Sequence, residues 1–472
     1  MKVEQIYTGC LAHAAYYIEN NGEAAVFDPL RETSPYIQRA QKDNAKIKYI
    51  FETHFHADFV SGHIDLAKET GASIVYGPGA KPGFEARIAA DGQLFKVGNI
   101  FVKAIHTPGH TMESTTYLLI DEDGTEHGIV TGDTLFIGDV GRPDLAQHVV
   151  EDLSQEKLAS LLFDSLRNKI LPLDDKLIVY PGHGAGSACG KKMSKETTDT
   201  LGHQKQTNYA LNPALTRENF IREILTGLVP PPAYFPQNVL MNIKGYKNID
   251  AVLKQGTRAL SVDAFEAAAN ETNALIIDTR HADTFAQGFI PNAINIGIDG
   301  SFATWVGTLI PDVKQEILIV ADKGREEEII TRLARVGYDN ALGYLDGGFE
   351  AWKKAGKETD EIRWVNVERL SEIMSAEEIN ILDVRKKSEY DSEHMINAVN
   401  APLDFINDAM QVINSDKTYY VHCAGGYRSM TFISILRSRG YTNLVNVKGG
   451  FSLIKESRLF PVTDYVCPTT LL

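Results

Sequence analysis

Six potential metal ligands recur in four short segments of the N-terminal half of the chain. Neutral imidazole and carboxylate are the donors that a borderline divalent cation requires. One such histidine alone is more often a surface or core residue, but four segments in succession predict a metal centre. The six residues are His54, His56 and Asp58 in one loop, and His110, Asp133 and His183 in three others.

A cysteine with the surroundings of a nucleophile lies near the C-terminus. Cys423 begins the segment Cys423-Ala424-Gly425-Gly426-Tyr427-Arg428, between an apolar run and a helical stretch. The backbone N–H groups of a short glycine-rich loop, and the positive end of the helix that follows, stabilise a thiolate. We therefore predict that Cys423 and Arg428 are catalytic and that Gly425 and Gly426 bind substrate.

Strands must present the predicted metal ligands, because an apolar run ends shortly before each ligand segment. Strand ends aligned along one sheet edge would bring the four loops together. The segment Asn20-Asn21-Gly22, between two further apolar stretches, predicts a β-hairpin. The apolar runs are residues 47–51 before His54, 100–105 before His110, 129–130 before Asp133 and 177–180 before His183.

With its ligand segments in this order, the first part of the chain resembles the metallo-β-lactamase superfamily. The resemblance implies an αββα sandwich with a metal at one edge of its two sheets. It extends to about Pro230-Pro231-Pro232, a segment with the composition of a semi-rigid linker. We assign residues 1–245 to this domain.

The residue after Asp58 distinguishes branches of that superfamily. Dinuclear members that resemble glyoxalase II have a histidine there, which helps to bind a second metal. Phe59 occupies this position and cannot ligate a metal, so we predict a mononuclear centre. His63 is interpreted as the start of a helix, without a catalytic role.

The N-terminal domain also resembles persulfide dioxygenases, with further matches at residues 141–145 and 211–213. This resemblance implies one iron(II) ion per chain, held by His54, His110 and Asp133. Two histidines and one carboxylate are the donor set of non-haem iron(II) oxygenases. The same residue types could hold zinc, which stays open as the alternative metal.

Six further residues of this domain receive secondary roles. The resemblance implies that His56, Asp58 and His183 orient ligands or waters, or form an alternative metal group. Arg142 is assigned either to binding a substrate carboxylate or to structural support. Cys189 is interpreted as a buried structural thiol, or as a thiol near the mouth of the pocket. Cys10 is interpreted as structural, and Cys467 receives no role.

The C-terminal half repeats itself and resembles the rhodanese sulfurtransferases. Asp278-Thr279-Arg280 is matched by Asp383-Val384-Arg385, and Gly347-Gly348-Phe349 by Gly449-Gly450-Phe451. Such a repeat predicts two α/β domains with parallel sheets, residues 246–358 and 359–472.

The rhodanese resemblance gives different roles to the two copies. It implies that Cys423 carries sulfane sulfur and that Arg428 supplies positive charge to sulfite or thiosulfate. The equivalent loop of the first copy has Asp322 near the cysteine position and two fewer residues before its arginine. We therefore predict that the first copy is inactive and has a scaffolding or docking role.

Composition limits the class, the partners and the location of the protein. A chain of 472 residues is too long for one core, and 43% hydrophobic residues with 23% charged residues is typical of globular domains. A formal charge of −15 argues against a nucleic-acid partner, and no apolar run is long enough to span a bilayer. Four scattered cysteines and the lack of an apolar leader predict a cytoplasmic protein. We also expect a homo-oligomer, as in related proteins.

Three functions are compatible with these residues. The preferred one is iron-dependent oxidation of a thiol persulfide (glutathione, coenzyme A or bacillithiol type) by dioxygen to sulfite and thiol, coupled to formation or use of thiosulfate. The second is a thioester hydrolase resembling glyoxalase II, with two metals and regulatory rhodanese domains. The third is a non-enzymatic, sulfide-responsive sulfur carrier. Phe59 disfavours the second, and the complete Cys423 loop disfavours the third.

Overall fold

The computed structural model describes residues 1–145 and 153–467, which fall into two compact units. The first unit comprises Met1–Ala251 together with Thr331–Tyr338. The second unit comprises Val252–Ile330 and the chain from Asp339 onward. Most of both repeat copies therefore belongs to the second unit.

Two six-stranded β-sheets form the centre of the first unit. The first sheet contains, from edge to edge, β1 (Lys2–Thr8), β2 (His13–Asn20), β3 (Glu23–Phe27), β4 (Lys46–Phe51), β5 (Ser73–Tyr76) and β6 (Arg87–Ile88). The second contains β12 (Asp199–Thr200), β11 (Ile178–Pro181), β10 (Glu126–Gly132), β9 (Thr115–Ile120), β8 (Ile100–His106) and β7 (Leu94–Val97).

The core of the first unit lies between these sheets, and helices cover their outer faces. Phe27 and Phe51 of the first sheet stack with ring centroids 4.8 Å apart, and Tyr117 of the second sheet lies 4.9 Å from Phe51. Helices α3 and α5 pack on the second sheet, and α1 and α2 pack on β4 of the first. This arrangement confirms the predicted αββα sandwich. The helices of this unit are α1 (Ser34–Lys42), α2 (His63–Thr70), α3 (Gln155–Ser165), α4 (Leu201–Thr207), α5 (Arg217–Leu225) and α6 (Phe235–Lys244). The next helix, α7 (Ile249–Gly256), begins in the first unit and ends in the second.

The proline-rich segment at residues 230–236 lies inside the first unit. Helix α6, which follows it, packs against the loop after β4, where Asn242 Nδ2 donates to the His56 carbonyl at 2.8 Å. Tyr234 Oη donates to the Asp58 carbonyl at 3.0 Å. The interpretation of this segment as an interdomain linker is therefore wrong, because the chain beyond it anchors a ligand loop.

The second unit contains two five-stranded sheets with the same strand order, and their strands pair in parallel. This confirms the two predicted α/β copies with parallel sheets. The first sheet contains β13 (Ala259–Leu260), β17 (Ala341–Leu345), β16 (Ile317–Val320), β14 (Leu275–Asp278) and β15 (Ile294–Asn295). The second contains β18 (Trp364–Val365), β22 (Leu444–Val447), β21 (Tyr419–His422), β19 (Asn380–Asp383) and β20 (Ala398–Asn400).

Helices fill the connections between these parallel strands. Within residues 1–145 and 153–467, none of the helices is both long and apolar enough to cross a membrane. The helices of the two copies are α8 (Val262–Glu271), α9 (Ala282–Ala286), α10 (Phe302–Leu309), α11 (Glu326–Arg335), α12 (Gly348–Lys354), α13 (Val367–Ala376), α14 (Lys387–Ser392), α15 (Ile406–Ala409), α16 (Tyr427–Ser438) and α17 (Gly450–Ser457).

Candidate functional site

Three of the predicted metal ligands meet where strands of both sheets end. His54 follows β4 of the first sheet, whereas His110 and Asp133 follow β8 and β10 of the second. Asp133 Oδ2 lies 4.0 Å from His54 Nε2 and 3.4 Å from His110 Nε2. The three donor atoms lie within 4.8 Å of one another, and all three residues are buried. We call this group the triad.

Hydrogen bonds fix which ring nitrogen of each triad histidine faces the site. Thr53 Oγ1 donates to Asp28 Oδ2 at 2.9 Å, so the hydroxyl oxygen accepts from His54 Nδ1, also at 2.9 Å. The Arg142 carbonyl, which can only accept, receives the hydrogen bond of His110 Nδ1 at 2.8 Å. Both histidines therefore carry their proton on Nδ1 and turn an Nε2 lone pair into the site. A metal ligand requires this tautomer.

The triad contains a buried carboxyl group, and a cation beside it would stabilise its charged form. No N–H or O–H group of the described residues donates to either carboxylate oxygen of Asp133, whose side chain has no exposed surface. Burial raises the pKa of Asp133 well above its ordinary value and lowers the pKa of His110 to about 4. His110 is consequently neutral at neutral pH. Neutral imidazoles beside this buried carboxyl group fit a divalent cation.

Asp58 and His183 form a neighbouring cluster, which Cys189 joins. His183 Nε2 lies 3.5 Å from Asp58 Oδ2 and 3.6 Å from Asp133 Oδ1. The donor atoms of Asp58, His183 and Cys189 lie within 4.8 Å of one another. Cys189 is buried, and burial raises the pKa of its thiol well above the ordinary value. This cluster is therefore a second group of buried potential metal ligands beside the triad.

The Nε2 edge of His56 faces two buried carboxylates that the sequence analysis missed. It lies 3.1 Å from Asp28 Oδ1 and 3.4 Å from Glu52 Oε2. Burial raises the pKa of Asp28 to about 6. His56 thus groups with Asp28 and Glu52 as a further set of buried potential metal ligands, whose donor atoms lie within 4.8 Å of one another. Asp28 follows β3 and Glu52 follows β4 directly, so the same strand-end argument that selected His54 could have found both.

Phe59 fills the space beside His56 and offers no donor atom there. Its ring centroid lies 4.3 Å from that of His56 and 4.2 Å from that of His13, and the residue is fully buried. His63 begins α2, as predicted, and its Nδ1 lies 3.6 Å from Glu52 Oε1. Neither residue adds a ligand to the triad.

Arg142 supports the site from behind. Its guanidinium donates to both carboxylate oxygens of Asp144 at 2.6 Å each and to the Val229 carbonyl at 2.7 Å. The side chain is only 4% exposed. These contacts disfavour the alternative in which Arg142 binds a substrate carboxylate, because Asp144 already pairs with the guanidinium. The structural alternative is the one that agrees with the contacts.

Cys423 lies directly after β21, at the base of a loop that curls around its sulfur. The Gly426 N–H group donates to Cys423 Sγ at 3.1 Å. Gly426 has a φ of +110°, a conformation that disfavours any residue with a Cβ. Helix α16 begins at the next residue, so its positive end lies beside the loop. The arrangement suits an anionic sulfur on Cys423.

Arg428 is paired with a carboxylate of the same unit. Its Nη1 and Nη2 atoms lie 2.5 and 2.8 Å from the two carboxylate oxygens of Glu389. A bidentate pair of this kind shares the guanidinium charge. That Arg428 supplies positive charge to sulfite or thiosulfate stays a prediction, and the pair with Glu389 also gives this residue a role in holding the loop.

The equivalent loop of the first copy has no nucleophile. Asp322 is exposed, and Arg325 pairs with Asp299 at 2.6 Å and with Glu328 at 2.9 Å. These contacts stabilise the start of α11 and form no cradle around residue 322.

Comparisons with known proteins agree with this architecture. The sequence profile of the Metallo-beta-lactamase superfamily matches residues 8–183. A crystal structure of a metallo-beta-lactamase from Staphylococcus aureus is 33% identical, with a TM-score of 0.65, and covers 73% of this chain and 98% of that chain. The chain belongs to the metallo-β-lactamase superfamily. To this domain it adds two rhodanese-like domains, because the profile of the Rhodanese-like domain matches residues 261–355 and 366–457.

Two relatives named as hydrolases are also similar to part of this chain. A probable hydroxyacylglutathione hydrolase from Schizosaccharomyces pombe is 28% identical over 204 residues, which are 42% of this chain and 74% of the relative. A hydroxyacylglutathione hydrolase from Haemophilus influenzae is 26% identical over 216 residues, which are 41% of this chain and 90% of the relative. Each is similar to less than half of this chain.

Proposed function

We propose that this metallo-β-lactamase superfamily protein oxidises the persulfide of a small thiol at one iron and transfers sulfane sulfur at Cys423. The buried triad of His54, His110 and Asp133 carries the first half of this proposal. Its donors match those of non-haem iron(II) oxygenases, and Phe59 stands where a further ligand would favour a second metal. When bound, iron(II) supplies open coordination positions for the persulfide sulfur and for dioxygen.

The overall oxidation balances without another cofactor. The persulfide R–S–SH, one dioxygen and one water give the thiol R–SH, sulfite and two protons. The terminal sulfur is oxidised and dioxygen is reduced. The residues of the chain therefore have to bind and orient the substrate and to move protons. Asp58 is suited to hold such a proton, because burial raises its pKa to about 6, close to the neutral range in which general acids and bases act best.

Sulfite made in this way is an acceptor for sulfane sulfur carried on Cys423. In that step sulfite attacks the outer sulfur of the Cys423 persulfide, thiosulfate forms, and the Cys423 thiolate leaves. The Gly426 N–H group at 3.1 Å from Sγ supports the thiolate at the start and at the end of the cycle. The fusion thus joins a reaction that makes sulfite to one that consumes it.

Hydrolysis of a glutathione thioester is a second candidate function. The similarity to hydroxyacylglutathione hydrolases and the Asp58, His183 and Cys189 cluster beside the triad favour it. Hydrolysis with two metals needs that cluster to hold a cation, and Phe59 weakens this candidate function because it offers no donor atom beside His56.

Exchange of the metal distinguishes the two functions. The full chain is stripped with a chelator and reloaded with iron(II) or with zinc(II). Each form is given glutathione persulfide in an oxygen electrode and, separately, S-lactoylglutathione. We expect iron to restore persulfide-dependent oxygen uptake and neither metal to restore thioester hydrolysis. Hydrolysis by the zinc form, with no oxygen uptake by the iron form, would contradict the proposal.

A further inference from the structure

A cleft between the two rhodanese-like copies opens beside the Cys423 loop. Its volume is about 350 Å³, and the loop contributes Gly425 and Gly426 to its rim. Both copies contribute walls, although only one of them has a nucleophile. The walls include His281, Asp283 and Ile298 of the first copy, and Tyr427, Lys448 and Leu453 of the second.

Tyr427 ties the first copy to the catalytic loop of the second. Its Oη donates to the Gly297 carbonyl at 2.8 Å. A Cβ at Gly300 would lie 2.5 Å from the Tyr427 ring, so the first copy approaches this closely because residue 300 is glycine. Tyr427 is part of the Cys423 loop and begins α16. The cleft wall and the nucleophile loop are consequently one connected structure.

The cleft is much larger than sulfite or thiosulfate needs. At about 30 Å³ per water, its volume equals that of about twelve waters. Clefts of about 300–1,000 Å³ are the ones that bind organic ligands, and they combine apolar walls with a few polar groups. Ile298, Leu453 and the Tyr427 ring supply such walls here. An inorganic anion requires only the Cys423 loop, whereas this volume accommodates an organic substrate.

One ion pair in the walls is placed to exchange partners. Lys448 Nζ lies 3.2 Å from Asp283 Oδ2, and the two side chains are 45% and 44% exposed. Exposed pairs of this kind contribute little stability. A carboxylate or phosphate of a bound molecule could therefore replace Asp283 at Lys448 at little cost. The cleft thus has apolar walls and one cation that a ligand can recruit.

We propose that this cleft binds the organic part of an anionic, low-molecular-weight thiol persulfide and directs its terminal sulfur to Cys423. The acidic group of that molecule pairs with Lys448. The first copy is then the second wall of a substrate site. This inference rests on the sulfurtransferase half of the proposed function.

The transfer at Cys423 balances as an exchange of one S–S bond for another. The Cys423 thiolate attacks the terminal sulfur of R–S–SH, and a new S–S bond forms on Cys423. The S–S bond of the persulfide breaks, and R–S⁻ leaves while the proton stays with the transferred sulfur. No net oxidation occurs, so no further reactant is needed.

Filling the cleft from the first copy tests the proposal. Ala282 of the first copy lines the cleft and is partly exposed. The Ala282→Trp full chain and the wild type are given either glutathione persulfide or thiosulfate, and persulfide on Cys423 is followed by mass spectrometry. The rate constant with glutathione persulfide, divided by that with thiosulfate, should fall at least about tenfold in the variant. An unchanged ratio, whether both rates stay or both fall together, would overturn the proposal.

The charge requirement is tested on an exposed side chain, whose replacement does not endanger folding. Lys448→Met should lower kcat/KM about tenfold for glutathione persulfide, but not for the uncharged persulfide of 2-mercaptoethanol. Lys354→Met, at an exposed lysine of the same unit outside the cleft, is the matched control and should change neither value. An equal loss of kcat/KM with both persulfides, or no loss with either, would refute the role of Lys448.

The same measurements separate failure of the cleft from failure of the proposed function. Wild-type protein that takes no sulfur from thiosulfate or from either persulfide would overturn the sulfurtransferase itself. Wild-type protein that takes sulfur readily, with an unchanged donor ratio in Ala282→Trp, would overturn only the role of the cleft.

Discussion

The backbone carbonyl of Arg142 holds the imidazole of His110 in one tautomer, through a 2.8 Å hydrogen bond to Nδ1. Arg142 is itself fixed by the two 2.6 Å contacts of its guanidinium with Asp144. The buried ion pair of Arg142 with Asp144 therefore determines the orientation of the His110 ring in the triad. Such outer contacts orient a ligand and contribute to metal affinity.

Breaking this pair should weaken metal binding without removing a ligand. We expect Asp144→Ala to lower the affinity for iron(II) or zinc(II) about tenfold or more, as measured by competition with a chromophoric chelator. The matched control is Asp164→Ala, which breaks the partly exposed bidentate pair of Asp164 with Arg217. Equal metal affinity in the two variants would refute the orienting role of Arg142.

Phe59 should limit the number of metals that the site holds. Phe59→His places an imidazole beside His56 and Asp58, so we expect metal content above one per chain by elemental analysis, with no increase in oxygen uptake. Phe59→Leu, which keeps the position apolar, is the control and should bind no additional metal. Two well-occupied metals in the wild type, at a bridging distance of about 3.5–4 Å, would contradict the mononuclear prediction.

The sequence predicted the local features of this site better than its long-range contacts. Asn21 and Gly22 both have positive φ, +50° and +79°, and form the two-residue hairpin turn that their types indicate. The strand-end positions of the triad likewise follow from hydrophobic patterning. The pairing of Arg428 with Glu389, 39 positions away, did not follow from it, because residue types do not show which acid a guanidinium meets. The same reason hid the pairing of Arg142 with Asp144, although these residues are only two positions apart. The packing of α6 on the His56 loop joins residues 186 positions apart, which composition alone cannot indicate.

His63 should make the stability of the first unit depend on pH. Burial, followed by the nearby Arg31 charge, lowers the pKa of His63 from 6.5 to about 3. Between these values the unfolded chain binds the proton and the folded chain does not, so the stabilising contribution is complete above pH 6.5 and is lost as the pH falls towards 3. We expect His63→Phe to reduce the loss of unfolding free energy between pH 7 and pH 5 by about 2 kcal/mol.

Hydrogen exchange of peptides from the first unit measures this difference. His203→Phe, at a side chain that is 58% exposed, is the control and should keep the pH dependence of the wild type. The same pH dependence in His63→Phe and in His203→Phe would show that His63 does not titrate as its burial indicates.

Cys423→Ser should abolish sulfur transfer and leave persulfide oxidation nearly intact. A serine hydroxyl cannot carry sulfane sulfur, so the variant should lose sulfur transfer from thiosulfate to cyanide. Oxygen uptake with a persulfide should stay close to the wild-type rate, because the triad lies in the first unit, and sulfite should accumulate where the wild type forms some thiosulfate.

Asp322 provides the matched control for Cys423. Asp322→Ser should leave both activities unchanged, and Asp322→Cys should not create a second transfer site, since the loop after it has no cradle for an anionic sulfur. Loss of oxygen uptake in Cys423→Ser, with unchanged iron content, would mean that Cys423 takes part in the oxidation and that this division of labour is mistaken.

The stoichiometry of oxygen and sulfite tests the central proposal most directly. Iron-loaded Cys423→Ser protein, which cannot convert sulfite to thiosulfate, is supplied with glutathione persulfide, and oxygen, sulfite and glutathione are followed together. We predict equal amounts of oxygen consumed, sulfite released and glutathione released, with no uptake when glutathione replaces its persulfide. His110→Ala should lose both the iron and the uptake, while His203→Ala should keep both. Persulfide turnover without oxygen uptake, or full uptake in an iron-free His110→Ala variant, would contradict oxidation at the triad.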